Sequence, residues 1–533
     1  MQSNHFSCDL RNRISYLKGM SNQFSQKVTI FHGRPLPEEG MLAGYSLMIQ
    51  EIELHAGKLL PIPRQLAIVT EKHQRYNTDQ WQVFTKRHEP HNNLISHIFF
   101  ALKYEGIDLL ILKTIFQIIG EKNITEVVLN EPTGQYSRRI WFLYEWLIGK
   151  RLDIPDLKIG TYIEVVNPSL QYTGPTINST RHRVKNNLPG TPEFCPMIKK
   201  SEKLERYVSA NIQESIDKGL DGRDKELIRR TAAFLLLKDS KASFAIEGEY
   251  PPNMRARNWG KVIGQAGKKA LNLSEIERLQ HIVIGSKKLR HMGIRQEEGF
   301  IGEHDRETFA PIPDHISAKA EDLNSLMNGL INTNNFLQDS DYDPVLTATT
   351  IAFGFVFIHP LSDGNGRIHR YLIHHILNWM GFTKREMIFP VSSAILDRIS
   401  DYQEILEDYS SQRIDLIEWK PTPSHNIEIL NDTIDLYRYY DLTVQAEFLY
   451  ECVEDTINRI IPQEIDFLEK YDRLTNSINS FLTLPDTRVD LLIKLLNQNN
   501  GRLSKRKRQN DFDELTDEDI SLIEEYYAEI FMK

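Results

Sequence analysis

Apolar residues recur at steps of three and four positions along much of the chain, which is the spacing of one face of an α-helix. Near the start, this pattern is carried by Leu94, Ile95, Ile98, Phe99 and Leu102. It continues in the stretches IDLLILKTIFQII and RRIWFLYEWLIGKRL, and later in AEFLYECVEDTINRI and VDLLIKLL. The hydrophobic pattern therefore predicts a mainly α-helical protein.

Two stretches interrupt this pattern and suggest domain boundaries. Between Gly174 and Pro196, prolines, Asn, Ser and Thr leave no sustained apolar period, and residues 420–426, KPTPSHN, break the pattern again. We therefore expect an N-terminal accessory region over residues 1–200, a central domain over 201–420 and a C-terminal accessory region over 421–533. Both accessory regions are predicted to be mostly helical, although IEILNDTIDLYRYY alternates in a way that favours a strand or hairpin.

The composition narrows the class of protein. The chain has 533 residues, of which 41% are hydrophobic and 26% charged, as in an ordinary globular protein. Its net charge of -9 argues against a chain-wide nucleic-acid surface, because such surfaces carry a basic excess. The basic run at residues 502–508 is followed at once by the acidic DFDELTDEDI and is more typical of a solvated loop. We expect no nucleic-acid partner beyond this weak patch.

Cysteine usage and hydropathy address the compartment. Cys8, Cys195 and Cys452 are few and far apart, which fits neither a disulfide framework nor a metal-ligand spacing. No stretch approaches the ~20 apolar residues that span a bilayer, and the first residues lack the apolar core of a signal peptide. We therefore expect a cytoplasmic protein with no membrane partner.

Residues 359–370, HPLSDGNGRIHR, concentrate the candidate chemistry. Gly364 and Gly366 allow a tight turn whose backbone amides can converge on an anion, and the apolar period that follows predicts a helix beginning inside the motif. The positive end of that helix would face the same anion. Arg367 and Arg370, three residues apart, could each bind one phosphate group.

The remaining polar residues of the motif suit transfer of a phosphate-linked group. Asp363 is a hard oxygen ligand suited to Mg²⁺ on phosphate oxygens. His359, just before the loop, could accept a proton from an attacking hydroxyl. Taken singly, each feature also fits an ordinary glycine-rich loop before a helix, but together they favour phosphoryl or nucleotidyl transfer.

The stretch resembles the Fic signature, H-x-F-x-D/E-G-N-G-R-x-x-R, with Leu361 where that family usually has Phe. The resemblance implies an all-helical central domain with a small β-hairpin flap, which transfers AMP from ATP to a hydroxyl of a target protein. It implies that His359 is the general base and that Asp363 holds Mg²⁺. It also implies the residues that bind the ATP phosphates, which are Gly364, Asn365, Gly366, Arg367 and Arg370.

Three further features follow from the resemblance. SFAIEG, with Ser243 and Glu247, fits the family's inhibitory-helix pattern S/T-x-x-x-E-G/N, which implies that the Glu247 carboxylate reaches Arg370 and blocks productive ATP binding. Residues 299–316 resemble the hairpin flap that pairs with a target segment by strand addition. Tyr402 occupies a position that the resemblance places near the adenine, although a tyrosine on a helix face is more often a packing residue.

The expected partners are ATP and a target protein, with self-modification and a homodimer left open. Two alternatives to AMP transfer to a protein also stay open. The same site could remove AMP or transfer another phosphate-linked group, since Glu247 could orient a water. The chain could instead be a non-catalytic interaction module that senses a nucleotide and whose output runs through the terminal regions.

Overall fold

The structure is a computed structural model that describes residues 27–210, 212, 223–285, 292–382 and 389–532. The described part of the chain is mainly α-helical, as predicted. Its α-helices are α1 Tyr45–Ala56, α2 Leu94–Tyr104, α3 Leu109–Asn130, α4 Gln135–Ile148, α5 Glu202–Ser209, α6 Lys225–Ala245, α7 Asn253–Ile263, α8 Leu273–Ile284, α9 Leu323–Leu337, α10 Pro344–Ile358, α11 Asn365–Trp379, α12 Val391–Asp397, α13 Ile399–Ile414, α14 Thr443–Asp455, α15 Ile461–Asn479, α16 Asp486–Gln498, α17 Lys505–Asp511 and α18 Asp517–Phe531.

The N-terminal region adds two sheets that the hydrophobic pattern did not predict. The larger has the strand order β1-β2-β3-β5-β4, in which β3 and β5 are parallel and the other pairs antiparallel. The strands are β1 Lys27–Phe31, β2 Arg34–Ala43, β3 Leu66–Thr70, β4 Tyr76–Asn77, β5 Trp81–Thr85, β6 Ile163–Glu164, β7 Ile177–Ser179 and β8 Val184–Asn186. They are mostly five residues or shorter, so the apolar runs are too brief to show a period.

Helices α10 and α11 form the centre of the molecule and position the motif between them. Every residue of α10 from Val345 to Ile358 is buried, and Asp343 caps its first turn by accepting bonds from the amides of Val345 and Leu346. Helix α11 is also largely buried and ends before Gly381, whose φ of 69° is typical of the residue that follows a helix. The motif therefore sits on two rigid, buried helices.

Among the described residues, the buried apolar side chains form one large cluster that extends from Phe31 to Ile465, a second from Leu474 to Ile530 and a small third one that includes Phe84 and Phe100. The first joins the N-terminal sheets to the central helices, and the second lies within the C-terminal helices. The boundaries at residues 200 and 420 stay predictions.

The predicted hairpin within residues 299–316 is present. Strands β9 Phe300–His304 and β10 Pro311–Ile316 pair antiparallel, with a register shift between Pro313 and His315. In the C-terminal region, β11 Trp419–Pro421 pairs with β12 Ile427–Ile429, and the rest of the alternating stretch turns into a short 3₁₀ helix, Ile434–Tyr437. Among the described residues, no helix is long and apolar enough to cross a membrane.

Candidate functional site

The loop of the motif begins where α10 ends. His359 closes α10 with a φ of 53°, a left-handed conformation that reverses the chain direction, and its amide donates to the Phe355 carbonyl at 3.0 Å. Helix α11 starts at Asn365, so the helix begins inside the motif as predicted. The loop therefore connects the imidazole of His359 to the amino end of α11.

Gly364 and Asn365 fix the shape of this loop. Gly364 has a φ of 92°, and a Cβ there would lie 3.1 Å from Cγ1 of Val283, so only glycine fits without a shift of its neighbour. The Asn365 side chain accepts from the Leu361 amide at 3.0 Å and donates to the Leu361 carbonyl at 2.7 Å. The side chain of Asn365 thus ties the loop together, and any contact it makes with an anion would come from its backbone.

The amino end of α11 has first-turn amides that are unpaired within the helix, at the place where the sequence predicts an anion. The N-cap of the helix is Gly364, which has no side chain to accept bonds from the first-turn amides. These amides and the helix dipole favour a negative charge at this end. A Cβ at Gly366 would overlap the carboxylate of Glu247, so an acidic side chain lies against this turn.

Arg370 is almost fully buried and binds the segment predicted to be inhibitory. Its Nε donates to Oγ of Ser243 at 3.1 Å, and one terminal nitrogen donates both to the Ser243 carbonyl at 2.7 Å and to Oε1 of Glu247 at 2.8 Å. Helix α6 ends at Ala245, and Gly248 follows with a φ of 70°. The contact that the resemblance implied between Glu247 and Arg370 is therefore present.

Arg367 binds a second carboxylate that the sequence analysis missed. Its guanidinium donates to Glu249 at 3.0 Å and to Asp363 at 3.1 Å. Glu249 lies two residues beyond Glu247, and its other carboxylate oxygen accepts from Arg255 on α7 at 3.0 Å. The only signal in the sequence was the second acid in the run EGE, which no motif distinguished.

Asp363 suits a cation at the edge of the loop. Its side chain is 23% exposed, its carboxylate pairs with Arg367, and its backbone carbonyl accepts from Gln280 at 3.0 Å. One carboxylate together with substrate phosphates is a usual way for proteins to hold Mg²⁺. The described residues contain no group of three or more His, Cys, Asp or Glu side chains that could hold a metal ion. Of the described residues, Asp363 is thus the candidate ligand for a cation, whose other ligands would come from a bound phosphate compound.

Arg295 holds the backbone of the loop at His359, and the sequence did not indicate this role. Its Nε donates to the His359 carbonyl at 3.0 Å, its amide donates to the Pro360 carbonyl at 3.0 Å, and its terminal nitrogens donate to the carbonyls of Glu297 and Ala318. It thereby links the loop to both ends of the hairpin. No local pattern distinguishes such an arginine, because its partners are backbone atoms distant in the chain.

The surroundings of His359 favour the neutral imidazole. Burial lowers the pKa of His359 to about 4, and the positive charge of Arg295 acts in the same direction, while the Val356 carbonyl opposes it. The ring of His315, on β10, lies 6.4 Å away between centroids. A neutral imidazole at ordinary pH can accept a proton, which a general base must do.

Tyr402 lies in the interior and not at an open edge of the site. Its ring is 4% exposed, stacks on His369 at 6.0 Å and packs on Phe448 at the same distance. Burial raises the pKa of its hydroxyl to about 12, an effect that nearby Arg370 opposes. This placement supports a packing residue, and the prediction of an adenine contact gains no support from it.

Comparisons with known proteins agree on the identity of this centre. Residues 270–377 match the family model described as the Fic/DOC family. The chain is 36% identical over 104 residues to "Protein adenylyltransferase Fic" of Nematostella vectensis. The aligned stretch covers 19% of this chain and 22% of that relative. The similarity to the Fic/DOC family therefore extends over residues 270–377 of this chain. The family match includes the loop and α11 as far as Leu377 but not Ser243, Glu247 or Glu249.

Two solved structures are similar over larger shares of the chain. A Fic family protein from Desulfovibrio desulfuricans is 17% identical with a TM-score of 0.33, covering 52% of this chain and 80% of that one. A Fic domain containing signaling protein from Bacteroides thetaiotaomicron is 18% identical with a TM-score of 0.34, covering 49% of this chain and 97% of that one.

Proposed function

We propose that the protein is an adenylyltransferase that transfers AMP from ATP to a Ser, Thr or Tyr hydroxyl of a protein. The observation that carries this proposal is the cluster at the start of α11. Two buried arginines and the first-turn amides lie against two carboxylates of the same chain, Glu247 on Arg370 and Glu249 on Arg367. A site that binds carboxylates in this way is also suited to phosphate groups, because both are oxyanions that accept hydrogen bonds from guanidinium groups.

The proposed reaction assigns a task to each residue. The acceptor hydroxyl attacks the α-phosphorus, an O–P bond forms, the bond between the α- and β-phosphates breaks, and pyrophosphate leaves. His359 accepts the hydroxyl proton, and the amides at Gly364 and Gly366 stabilise the charge that develops on the α-phosphate. Arg367 and Arg370 bind the β- and γ-phosphates. Mg²⁺ held by Asp363 would neutralise charge on the phosphate oxygens.

The contact between Glu247 and Arg370 supports autoinhibition. Arg370 is 1% exposed and already bonds to Glu247, so a γ-phosphate and this carboxylate compete for the same guanidinium. The negative charges of the Glu247 carboxylate and a γ-phosphate repel each other. A triphosphate held away from Arg370 would not have its α-phosphorus in position for attack by a hydroxyl next to His359. The resting protein is therefore proposed to transfer AMP slowly.

The test is incorporation of label from ATP carrying it on the α-phosphate or on the γ-phosphate. The Glu247→Gly protein should take up α-label faster than the unchanged protein and should take up no γ-label. Adding His359→Ala should abolish uptake. Glu226→Gln, which changes an exposed acid that lies on α6 and pairs with Arg229, should behave like the unchanged protein.

Phosphoryl transfer and a nucleotide-sensing module each predict a different outcome of this test. Uptake of γ-label would indicate phosphoryl transfer. If Glu247→Gly and His359→Ala both leave α-label uptake unchanged while ATP still binds, the nucleotide-sensing module is the better account.

A further inference from the structure

Glu249 joins two arginines through its two carboxylate oxygens. Oε1 accepts from Arg367 at 3.0 Å, and Oε2 accepts from Arg255 at 3.0 Å. Arg367 is 3% exposed at its side chain, whereas Arg255 and Glu249 are 32% and 37% exposed. The carboxylate therefore enters from the solvent side and contacts a cation that faces the interior.

The two guanidinium groups are held in place by contacts other than Glu249. Both lie over the ring of Phe244, with Arg255 at 4.8 Å and Arg367 at 5.4 Å from its centroid. Arg255 also donates to the Val283 carbonyl at 2.8 Å, and Arg367 also donates to Asp363. Removal of the Glu249 carboxylate would thus leave two positive groups near each other, both still held by their other contacts.

Arg255 and Arg367 together thus form an anion clamp, which is occupied by the side chain of Glu249. Two neighbouring arginines repel each other, and burial together with the positive charge of Arg255 lowers the pKa of Arg367. A single oxyanion that accepts from both relieves this repulsion. An ordinary surface ion pair would need neither the second guanidinium nor the shared ring.

We propose that Glu249 is a second internal carboxylate that blocks the phosphate site, and that Arg255 binds the polyphosphate chain of the nucleotide when Glu249 leaves. The identity of the anion as a nucleoside triphosphate rests on the proposed function. Arg255 then extends the row of Arg367 and Arg370 to three cations. Glu247 covers Arg370 while Glu249 covers Arg367 and Arg255.

Both carboxylates belong to one short segment after α6, so a single displacement frees the whole row. Gly248 lies between them with a φ of 70°, and the Glu249 amide donates to the Phe244 carbonyl at 3.0 Å. Breaking the turn at this point would withdraw Glu247 and Glu249 together. Substitution of Glu247 alone is therefore expected to release only part of the site.

The experiment measures binding of inorganic tripolyphosphate and of ATP to the full chain by calorimetry. Glu249→Gln should tighten tripolyphosphate binding by about tenfold, because it removes a carboxylate that competes for two guanidinium groups. Glu249→Asp, which keeps the charge, should tighten it much less. Glu226→Gln is the matched surface control and should leave the affinity unchanged.

Arg255 is tested in the same assay. In the Glu249→Gln background, Arg255→Gln should reverse most of the gain in affinity, and the double variant Glu247→Gly with Glu249→Gln should bind more tightly than either single variant. Unchanged or weaker tripolyphosphate binding in Glu249→Gln would overturn the proposal, as would an Arg255→Gln variant that keeps the gain.

These outcomes separate the proposal from the proposed function. If Glu249→Gln gains tripolyphosphate affinity through Arg255 but no variant incorporates α-label from ATP, the clamp stands and AMP transfer fails. If Glu247→Gly incorporates α-label while Glu249→Gln and Arg255→Gln leave both binding and incorporation unchanged, the clamp fails and AMP transfer stands.

Discussion

The carboxylate of Glu247 lies directly over Gly366, in the space that a Cβ at this position would occupy. The same carboxylate accepts from Arg370 at 2.8 Å, one turn further along α11. One acidic group thus contacts both the amino end of the helix and the guanidinium that points to it. This is the place where helix amides and an arginine would hold a phosphate oxygen.

Gly366→Ala tests whether this place is shared with the nucleotide. In the Glu247→Gly background the Glu247 carboxylate is absent, and the methyl group of Ala at position 366 takes up the space where the carboxylate lay. If a phosphate of the nucleotide binds in that space, the methyl group should hinder it. We expect ATP affinity, measured by calorimetry, to fall by about tenfold relative to Glu247→Gly alone. Equal affinities would show that the nucleotide binds elsewhere.

Asn365→Ala should destabilise the loop. It leaves the buried amide and carbonyl of Leu361 without their side-chain partner, which costs about 2 kcal/mol of unfolding free energy. Chemical denaturation measures this loss, and Asn335→Ala, at an exposed position on α9, serves as the control. A loss no larger than that of the control would mean that the loop holds its shape by other contacts.

Asp239 attaches the helix that carries Ser243 to the helix that carries Arg370. Its carboxylate, fully buried on α6, bonds to His374 on α11 at 2.9 Å and to the Ser392 hydroxyl and Ser393 amide on α12. Asp239→Ala leaves these groups unpartnered, and we expect a loss of about 3 kcal/mol in unfolding free energy.

A second readout separates anchoring of α6 from general stability. If Asp239 holds α6 against α11, the Asp239→Ala protein should also incorporate more α-label from ATP than the unchanged protein at a temperature where both are folded. Lower stability without increased incorporation would leave Asp239 a core residue with no part in inhibition.

Acid should destabilise the protein well above the pH at which its carboxylates titrate. Burial lowers the pKa of His359 and His375 to about 4, and of His315 and His369 to about 3. An unfolded chain binds these protons near pH 6.5 and the folded chain does not, so unfolding free energy falls as pH drops from about 6.5 towards 4.

The slope of this loss is about 1.4 kcal/mol per pH unit for each proton that only the unfolded chain binds. Denaturation midpoints at a series of pH values measure it. His369→Phe should make the slope shallower, because His369 is fully buried and bonds only one ring nitrogen, to the Ala352 carbonyl. An unchanged slope in this variant would mean that other groups dominate the acid response.

The parts of the site that the sequence predicted are those marked by a short motif or by the family resemblance. The turn at Gly364, the start of α11, the hairpin of residues 299–316 and the approach of Glu247 to Arg370 follow from local spacing or from the family resemblance. Arg295, Glu249 and Asp239 did not, because each acts on groups brought near only by the fold. For Tyr402 the sequence offered both an adenine contact and a packing role, and its buried ring agrees with the packing role.

The sheets of the N-terminal region escaped prediction for a related reason. Strands β3 and β5 pair in parallel, and each is five residues long with every residue buried except Gln82. Such runs lack the alternation that marks a half-buried strand and cannot be told from a short piece of helix by their period.

Mass spectrometry of the Glu247→Gly protein, incubated with ATP and Mg²⁺ in the presence of cell lysate, tests the central claim most directly. The account predicts proteins that gain the mass of one AMP on a Ser, Thr or Tyr side chain, and no such gain when His359→Ala is added. A gain of one phosphate instead, or an AMP adduct that persists in the His359→Ala protein, would contradict it.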